Sequence, residues 1–350
     1  MAILSILLVV IANVIGVVQK TWVKANSRVS QFREARMAFD AMSRTLPQAT
    51  LNAYWQNEFD DLGVDVIGDK KTKAKSYVRQ SELQFVCGPA SVLLAGALPA
   101  DYPGHAVFFQ APFGVTNMTT AVGTMVNTEN MVNLLSGRGY FVSWGNDAGF
   151  RPPFLDPATV KLRYRYRLME YSPTAELNRI YDSSLRPITD HANAWFQGAR
   201  TSVATAGELA VNRGFTRPIA DNVIALIISP QVENDNKAAK ISTWIAPAYA
   251  YDSTVKANVV ASEGEQGTQH QLPPKIKITM IAVDDAAAEI MAANPDSPNL
   301  LTEAGSSFVN VNSYAADLNR LETYLSQAPR RYNYRVYSTV VSIKQAKWSL

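Results

Sequence analysis

Nineteen residues without a charged side chain lead this sequence, and they limit what the chain can fold into. Residues 2–18 read AILSILLVVIANVIGVV, with Ser5, Asn13 and Gly16 as the only interruptions. A helix that is apolar on every face cannot be one side of an ordinary globule. A bilayer core takes about 20 apolar residues, with a range of ~17–25. The run is therefore read as a membrane-inserted helix that can also pack among like helices. Its apolar side chains are Ile3, Leu4, Ile6, Leu7, Leu8, Val9, Val10, Ile11, Val14, Ile15, Val17 and Val18. It is not read as a secretory signal, because no basic residue precedes the core and no small-residue cleavage step follows it.

The pattern changes after Lys20. Trp22, Ala25, Val29, Phe32, Ala35, Phe39, Met42 and Leu46 recur at spacings of three and four, which places them on one helical stripe. Lys24, Arg28, Arg33, Glu34, Arg36, Asp40 and Arg44 occupy the other faces, with Asp40 and Arg44 spaced to pair along the helix. Pro47 ends the pattern, since a proline pushes the residue before it out of the α region. The sequence thus predicts one helix of about 45 residues, roughly 68 Å long. Its first half is apolar all round. Its second half carries a stripe, with Trp22, Val29, Phe32, Phe39, Met42 and Leu46 as the packing residues. Residues 1–47 form this helical part and 48–350 a globular part.

Beyond Pro47 the period shifts from 3.6 to 2. Strands are expected around 51–55, 83–87, 106–110, 140–144, 223–228 and 276–280, with a long final strand over 332–344. The cleanest alternation is 161–171, where Leu162, Tyr164, Tyr166 and Leu168 face one way and Lys161, Arg163, Arg165 and Arg167 the other. Helices are expected over 284–293 and 314–326, with weaker signals at 127–136 and 192–211. Residues 60–76 and 230–274 read as long loops. The fold class that results is α+β: a long N-terminal helix with a membrane-inserted first half, packed on an antiparallel-sheet domain.

The run MAILSILLVVIANVIGVVQ, followed by FREARMAFDAMSRTL, resembles the N-terminal helix of type IV pilin-like proteins, in particular minor pseudopilins of the J type from type II secretion. The segments RQSELQFVCGPASVLL (79–94), GHAVFFQAPFG (104–114), GYFVSWGNDAGFRPPF (139–154), YRYRLMEY (164–171), NVIALIISP (222–230) and RVYSTVVSIKQAKW (335–348) extend the likeness. They are similar to a larger pilin-like family described from Verrucomicrobia as cassette protein C. The pilin pattern begins F-T-L-x-E, which this sequence lacks, so either Met1 is an internal methionine of a longer reading frame, the favoured expectation, or the processing site has been lost. The resemblance implies a structural minor subunit of a type IV pilus-like or pseudopilus-like filament. Other pilin-like subunits would be its partners, after a stage in the inner membrane. Its large domain would lie in the periplasm or in an extracellular filament. The competing reading is a membrane-anchored binding or adhesion domain that builds no filament. By the positive-inside rule, Lys20, Lys24 and Arg28 would stay in the cytoplasm, against the pilin-like orientation.

Composition removes most chemical alternatives. Lys and Arg number 33 against 30 Asp and Glu, a balance that speaks against a nucleic-acid partner. A single cysteine, Cys87, excludes an internal disulfide and a multi-cysteine zinc site. Cys87 is read as a buried inert thiol and His105 as a turn or edge residue. His191 and His270 have no spaced nucleophile. Residues 137–139 form a lone Gly-x-Gly without a phosphate loop. Glu58, Asp60, Asp61, Asp65 and Asp69, and separately Glu233, Asp235 and Asn236, cluster as calcium ligands can. Neither group has the spacing of a known calcium loop, and both are read as solvated. Arg163, Arg165 and Arg167 are read as a solvated sheet face rather than a polyanion site. Tyr249, Tyr251, Tyr332, Tyr334 and Tyr337 are read as core and edge. No catalytic residue, metal or cofactor is expected, and the sequence names no small-molecule ligand.

Overall fold

The computed structural model describes residues 2–59, 74–94, 96–115, 133–152, 154–155, 158–181, 194–200, 215–232, 245–256 and 266–346. Helix α1 runs unbroken over Ala2–Thr45, and a single 3-10 turn at Leu46–Gln48, with Pro47 inside it, ends it. Eleven strands follow among the described residues. They are β1 (Tyr54–Phe59), β2 (Ala74–Gln80), β3 (Val86–Pro89), β4 (His105–Pro112), β5 (Leu135–Gly145), β6 (Arg165–Tyr171), β7 (Thr216–Asp221), β8 (Val223–Gln231), β9 (Tyr251–Asp252), β10 (Lys275–Val283) and β11 (Tyr334–Ser342). The remaining helices are short: α2 (Ala90–Leu93), α3 (Asp285–Met291), α4 (Leu300–Glu303) and α5 (Tyr314–Ser326).

The strands form three antiparallel sheets: β1–β2 alone, a three-stranded sheet β11–β10–β8, and a six-stranded sheet β7–β6–β5–β4–β3–β9. The larger sheet is buried on both faces. One face sends Phe85, Val107, Phe109, Tyr140, Val142, Tyr166 and Leu168 into a core shared with β8, β10 and α1. The alternate residues Val86, Phe108, Phe141, Met169 and Tyr171 pack under α2 and the 3-10 segment Ala194–Ala199, where the Phe108 and Phe196 rings stack at 4.1 Å. Two glycines permit this closeness. A Cβ at Gly139 would strike the Phe108 ring, and Gly104, at φ +79, lets its backbone meet that of Leu226 and bridge the two larger sheets.

Several expectations change here. Among the described residues no helix is long and apolar enough to cross a membrane. The 17-residue run, with Ser5, Asn13 and Gly16 inside it, spans about 26 Å as a helix, short of a ~30 Å hydrocarbon core, and charge follows from Lys20. The expected pilin-like helix with a membrane-inserted first half on one antiparallel-sheet domain is therefore overturned. Apart from α1, the architecture is sheet with short helices. Residues 133–136 lead into β5 rather than a helix, and 127–132 lie outside the described residues. The Asp40–Arg44 pair gives way to Arg36–Asp40, an exposed contact at 3.9 Å worth ~0–1 kcal/mol. The strand predicted from 161 begins at Arg165, and every residue of β6 is buried.

Candidate functional site

Helix α1 has two environments. From Phe32 onward it lies in the seam between the two larger sheets. Ala35, Ala38, Phe39, Met42 and Leu46 are buried there, and Phe32 is half-buried against the same core. These are residues of the predicted stripe, with Ala38 widening it. Polar contacts fasten the same segment. Tyr337 Oη donates to Phe32 O at 2.9 Å, and Thr45 Oγ1 lies 2.8 Å from Tyr140 Oη. Trp22 and Val29 belong to the same helix, but their side chains lie outside the described residues.

Toward the other end the helix presents apolar side chains to solvent. Ile11, Val14, Ile15, Val17 and Val18 are 50%, 56%, 51%, 64% and 59% exposed. A Cβ placed at Gly16 would meet nothing within 4 Å. The side chains of Ile3, Leu4, Ile6, Leu7, Leu8, Val9 and Val10 lie outside the described residues. A group of exposed apolar side chains on one helix is informative where a single exposed leucine is not, because such groups occur at interaction sites more than elsewhere on a surface.

Beside the anchored end, charged side chains are neutralised in place. Arg138 Nη1 and Glu170 Oε1 meet at 3.0 Å, with both side chains about one-tenth exposed. Tyr140 Oη donates to the same carboxylate at 3.1 Å, and Arg217 reaches its other oxygen at 2.7 Å. Burial, and then the Glu170 charge, push the Tyr140 phenol well above its ordinary value. Arg165 Nη1 donates to Asn222 at 2.8 Å and to Asp285 at 2.7 Å, and Arg167 Nε donates to Asp221 at 3.0 Å. Arg163 alone of that trio is mostly exposed, and it contacts Asp147 at 3.4 Å. The trio is thus not a solvated face. Two of its members are buried and paired, so it offers no polyanion surface. Loss of solvent, followed by the nearby Asp221 carboxylate, raises the carboxyl of Glu34, where α1 crosses this cluster.

The candidate chemical groups are inert by geometry. Cys87 is buried, its Sγ is 3.7 Å from Tyr249 O, and burial pushes its thiol far up. His105 is not a turn or edge residue but a core one. Ile228 N donates to its Nδ1 at 3.0 Å, which leaves the proton on Nε2 to reach Phe308 O at 3.1 Å. Both nitrogens of the neutral ring are occupied, and burial lowers its pKa to about 4. Tyr249 and Tyr251 are core residues, while Tyr332, Tyr334 and Tyr337 are half-buried around β11. Among the described residues no three His, Cys, Asp or Glu side chains gather as metal ligands. Asp60, Asp61, Asp65, Asp69, His191, Glu233, Asp235, Asn236 and the Glu58 side chain lie outside the described residues.

Sequence reasoning missed the Thr45–Tyr140–Glu170–Arg138 chain. Its members are 95, 30 and 32 positions apart, and no local pattern links such distances. No protein-family model, curated protein or solved structure matches the chain.

Proposed function

We propose that this chain is a structural subunit, a minor one, of a type IV pilus-like or type II secretion pseudopilus-like filament. It assembles by packing the apolar half of α1 against the same helix of neighbouring copies. The observation that carries the reading is one continuous helix with two kinds of surface. Its stripe from Phe32 to Leu46 is buried in its own domain, while Ile11, Val14, Ile15 and Val18 are each half or more exposed. A simple tether has no use for a rigid continuation into the domain, whereas an assembling subunit does. Full burial of such a side chain is worth about 1.5–3 kcal/mol, and each of these four has roughly half of that left to gain, which sums to on the order of 4 kcal/mol per helix. The domain of about 300 residues is bulky for close packing around a helical core, which favours a minor subunit. It would face the periplasm or the exterior.

The test is sedimentation and negative-stain imaging of the full chain beside the double variant Ile15→Asp, Val18→Asp. Pelletable filaments or helix-mediated oligomers are expected for the parent and lost in the variant, because a buried unpaired carboxylate is costly. A parent that stays monomeric at all concentrations, or a variant that assembles equally well, overturns the reading.

A further inference from the structure

We propose that the β1–β2 ribbon and the turn beside it form a binding site for a neutral oligosaccharide, independently of how the chain assembles. Antiparallel register sets Trp55 opposite Arg79 and Asn57 opposite Tyr77. Residues directly opposite share a sheet face, and so do residues two apart along a strand. These four therefore stand on one face of the ribbon, with the two aromatic residues on its diagonal. Trp55 is 68% and Tyr77 69% exposed, so neither belongs to a core. Rings of this size are left in solvent at little benefit to the fold, and their flat faces suit a flat apolar partner.

The ribbon face fronts a cavity of about 210 Å³, small enough for one or two sugar rings. Tyr54, Trp55, Arg79, His270, Gln271 and Gln345 line it. One wall is the turn through residues 266–271, and Arg79 holds that turn rigid. Arg79 N donates to Gln266 Oε1 at 2.6 Å, and Gln266 Nε2 donates back to Arg79 O at 2.8 Å. The guanidinium donates to Gln269 O at 2.7 and 3.0 Å and to Gly267 O at 3.1 Å. In the amide orientation that satisfies both groups, Gln271 Oε1 accepts from Nη1 at 2.6 Å. The turn places His270 at φ +56, a left-handed conformation unusual for a residue with a side chain. Such strain persists where the surroundings over-determine it, and ligand clamps are among those places.

The chemistry of this wall selects the ligand. The donors of its one permanent cation, Arg79, are turned onto the Gln269 and Gly267 carbonyls and the Gln271 amide, so a phosphate or carboxylate would have to break those bonds to be held by it. The groups that face the cavity beside it are the side-chain amides of Gln271 and Gln345 and the rings of Tyr54 and Trp55. A saccharide matches that set: hydroxyls bond the amides, and the C–H face of the ring lies on the indole, whose π-face is electron-rich. Trp55 would take the unit in the cavity and Tyr77 a unit further along the ribbon.

Saturation-transfer NMR and calorimetric titration of the full chain with cellotetraose, chitotetraose and maltotetraose test this, with oligothymidylate as the comparison. Saturable binding of one tetrasaccharide is expected. Trp55→Ala should weaken it at least about tenfold, or ~1.4 kcal/mol, and Trp55→Phe should restore part of the loss. Tyr77→Ala should weaken the tetrasaccharide but not the matching disaccharide. Because both side chains are exposed, the urea midpoint should hold in every variant, which separates lost binding from lost folding. No saturable binding by any of the three sugars, binding indifferent to Trp55→Ala, or tighter binding of oligothymidylate overturns the proposal.

Discussion

Met37 and Met42 sit on the same helix within two turns, and truncating each to alanine should have different consequences. Met42 is fully buried in the seam between the two larger sheets, whereas Met37 is 60% exposed. The two substitutions change helix propensity equally, so burial is the only variable. Met42→Ala removes the apolar atoms and leaves a cavity against close-packed neighbours, at a cost of about 2–5 kcal/mol. Met37→Ala should lie within ~0.5 kcal/mol of the parent, as surface changes do. Equilibrium urea unfolding followed by far-UV circular dichroism separates them. With a slope of about 2–3 kcal/mol per molar urea, the Met42→Ala midpoint should fall by about 1 M or more while that of Met37→Ala holds. Coincident midpoints would refute the anchoring of α1 in the domain and, with it, the division of the helix into a docked end and a free end.

Two further outcomes follow from the buried polar groups. Glu170→Leu strands Arg138 in the interior and should cost about 3–5 kcal/mol, and adding Arg138→Leu should recover a large part, read as a double-mutant cycle in urea. His105 titrates at about 4 in the fold, below the ordinary 6.5, so between those pH values the unfolded chain takes up a proton that the folded chain refuses. Stability should therefore fall as pH drops from 6.5 toward 4, by about 3 kcal/mol from this residue, and that part of the slope should be absent in His105→Gln. An identical slope in the variant would contradict the burial of the ring.

Elements with one dominant local signal were legible in the sequence. The 3.6-residue stripe gave α1 its anchored face, the leucines of 314–326 gave α5 to the residue, and the apolar run after Asn222 gave β8. What failed depended on partners far along the chain. Alternation at 161–171 is real, but alternation does not say whether the second face meets water. Here it meets Asp221, Asn222 and Asp285, and the arginines are buried. The same blindness hid the second core, because Phe108 and Phe141 look like the solvent side of a half-buried sheet until residues 194–199 cover them. The strand expected at 140–144 starts after Gly139, yet Gly137 and Gly139 both lie within β5, where Pro173, Trp195 and Phe108 leave no room for a Cβ. Apolar composition alone also overstated the first half of α1: among the described residues no helix is long and apolar enough to span a membrane. At the candidate sugar site the sequence shows only YWQN and a glutamine-rich stretch. Register and the Arg79 clamp bring them together.

Helix α1 contains neither glycine nor proline between Val17 and Leu46. It therefore has no built-in hinge between its free end and the seam where it is docked. A pull along the free end would arrive undiminished at Phe39, Met42 and Leu46, directed along the helix axis. There it would slide a row of interlocked side chains past two sheets rather than peel them apart one at a time, so many contacts would have to yield together. The same continuity makes the helix a lever. A tilt imposed at one end would become a rotation of the whole domain, and in the filament proposed above the direction in which each domain faces would be set by how the helices pack.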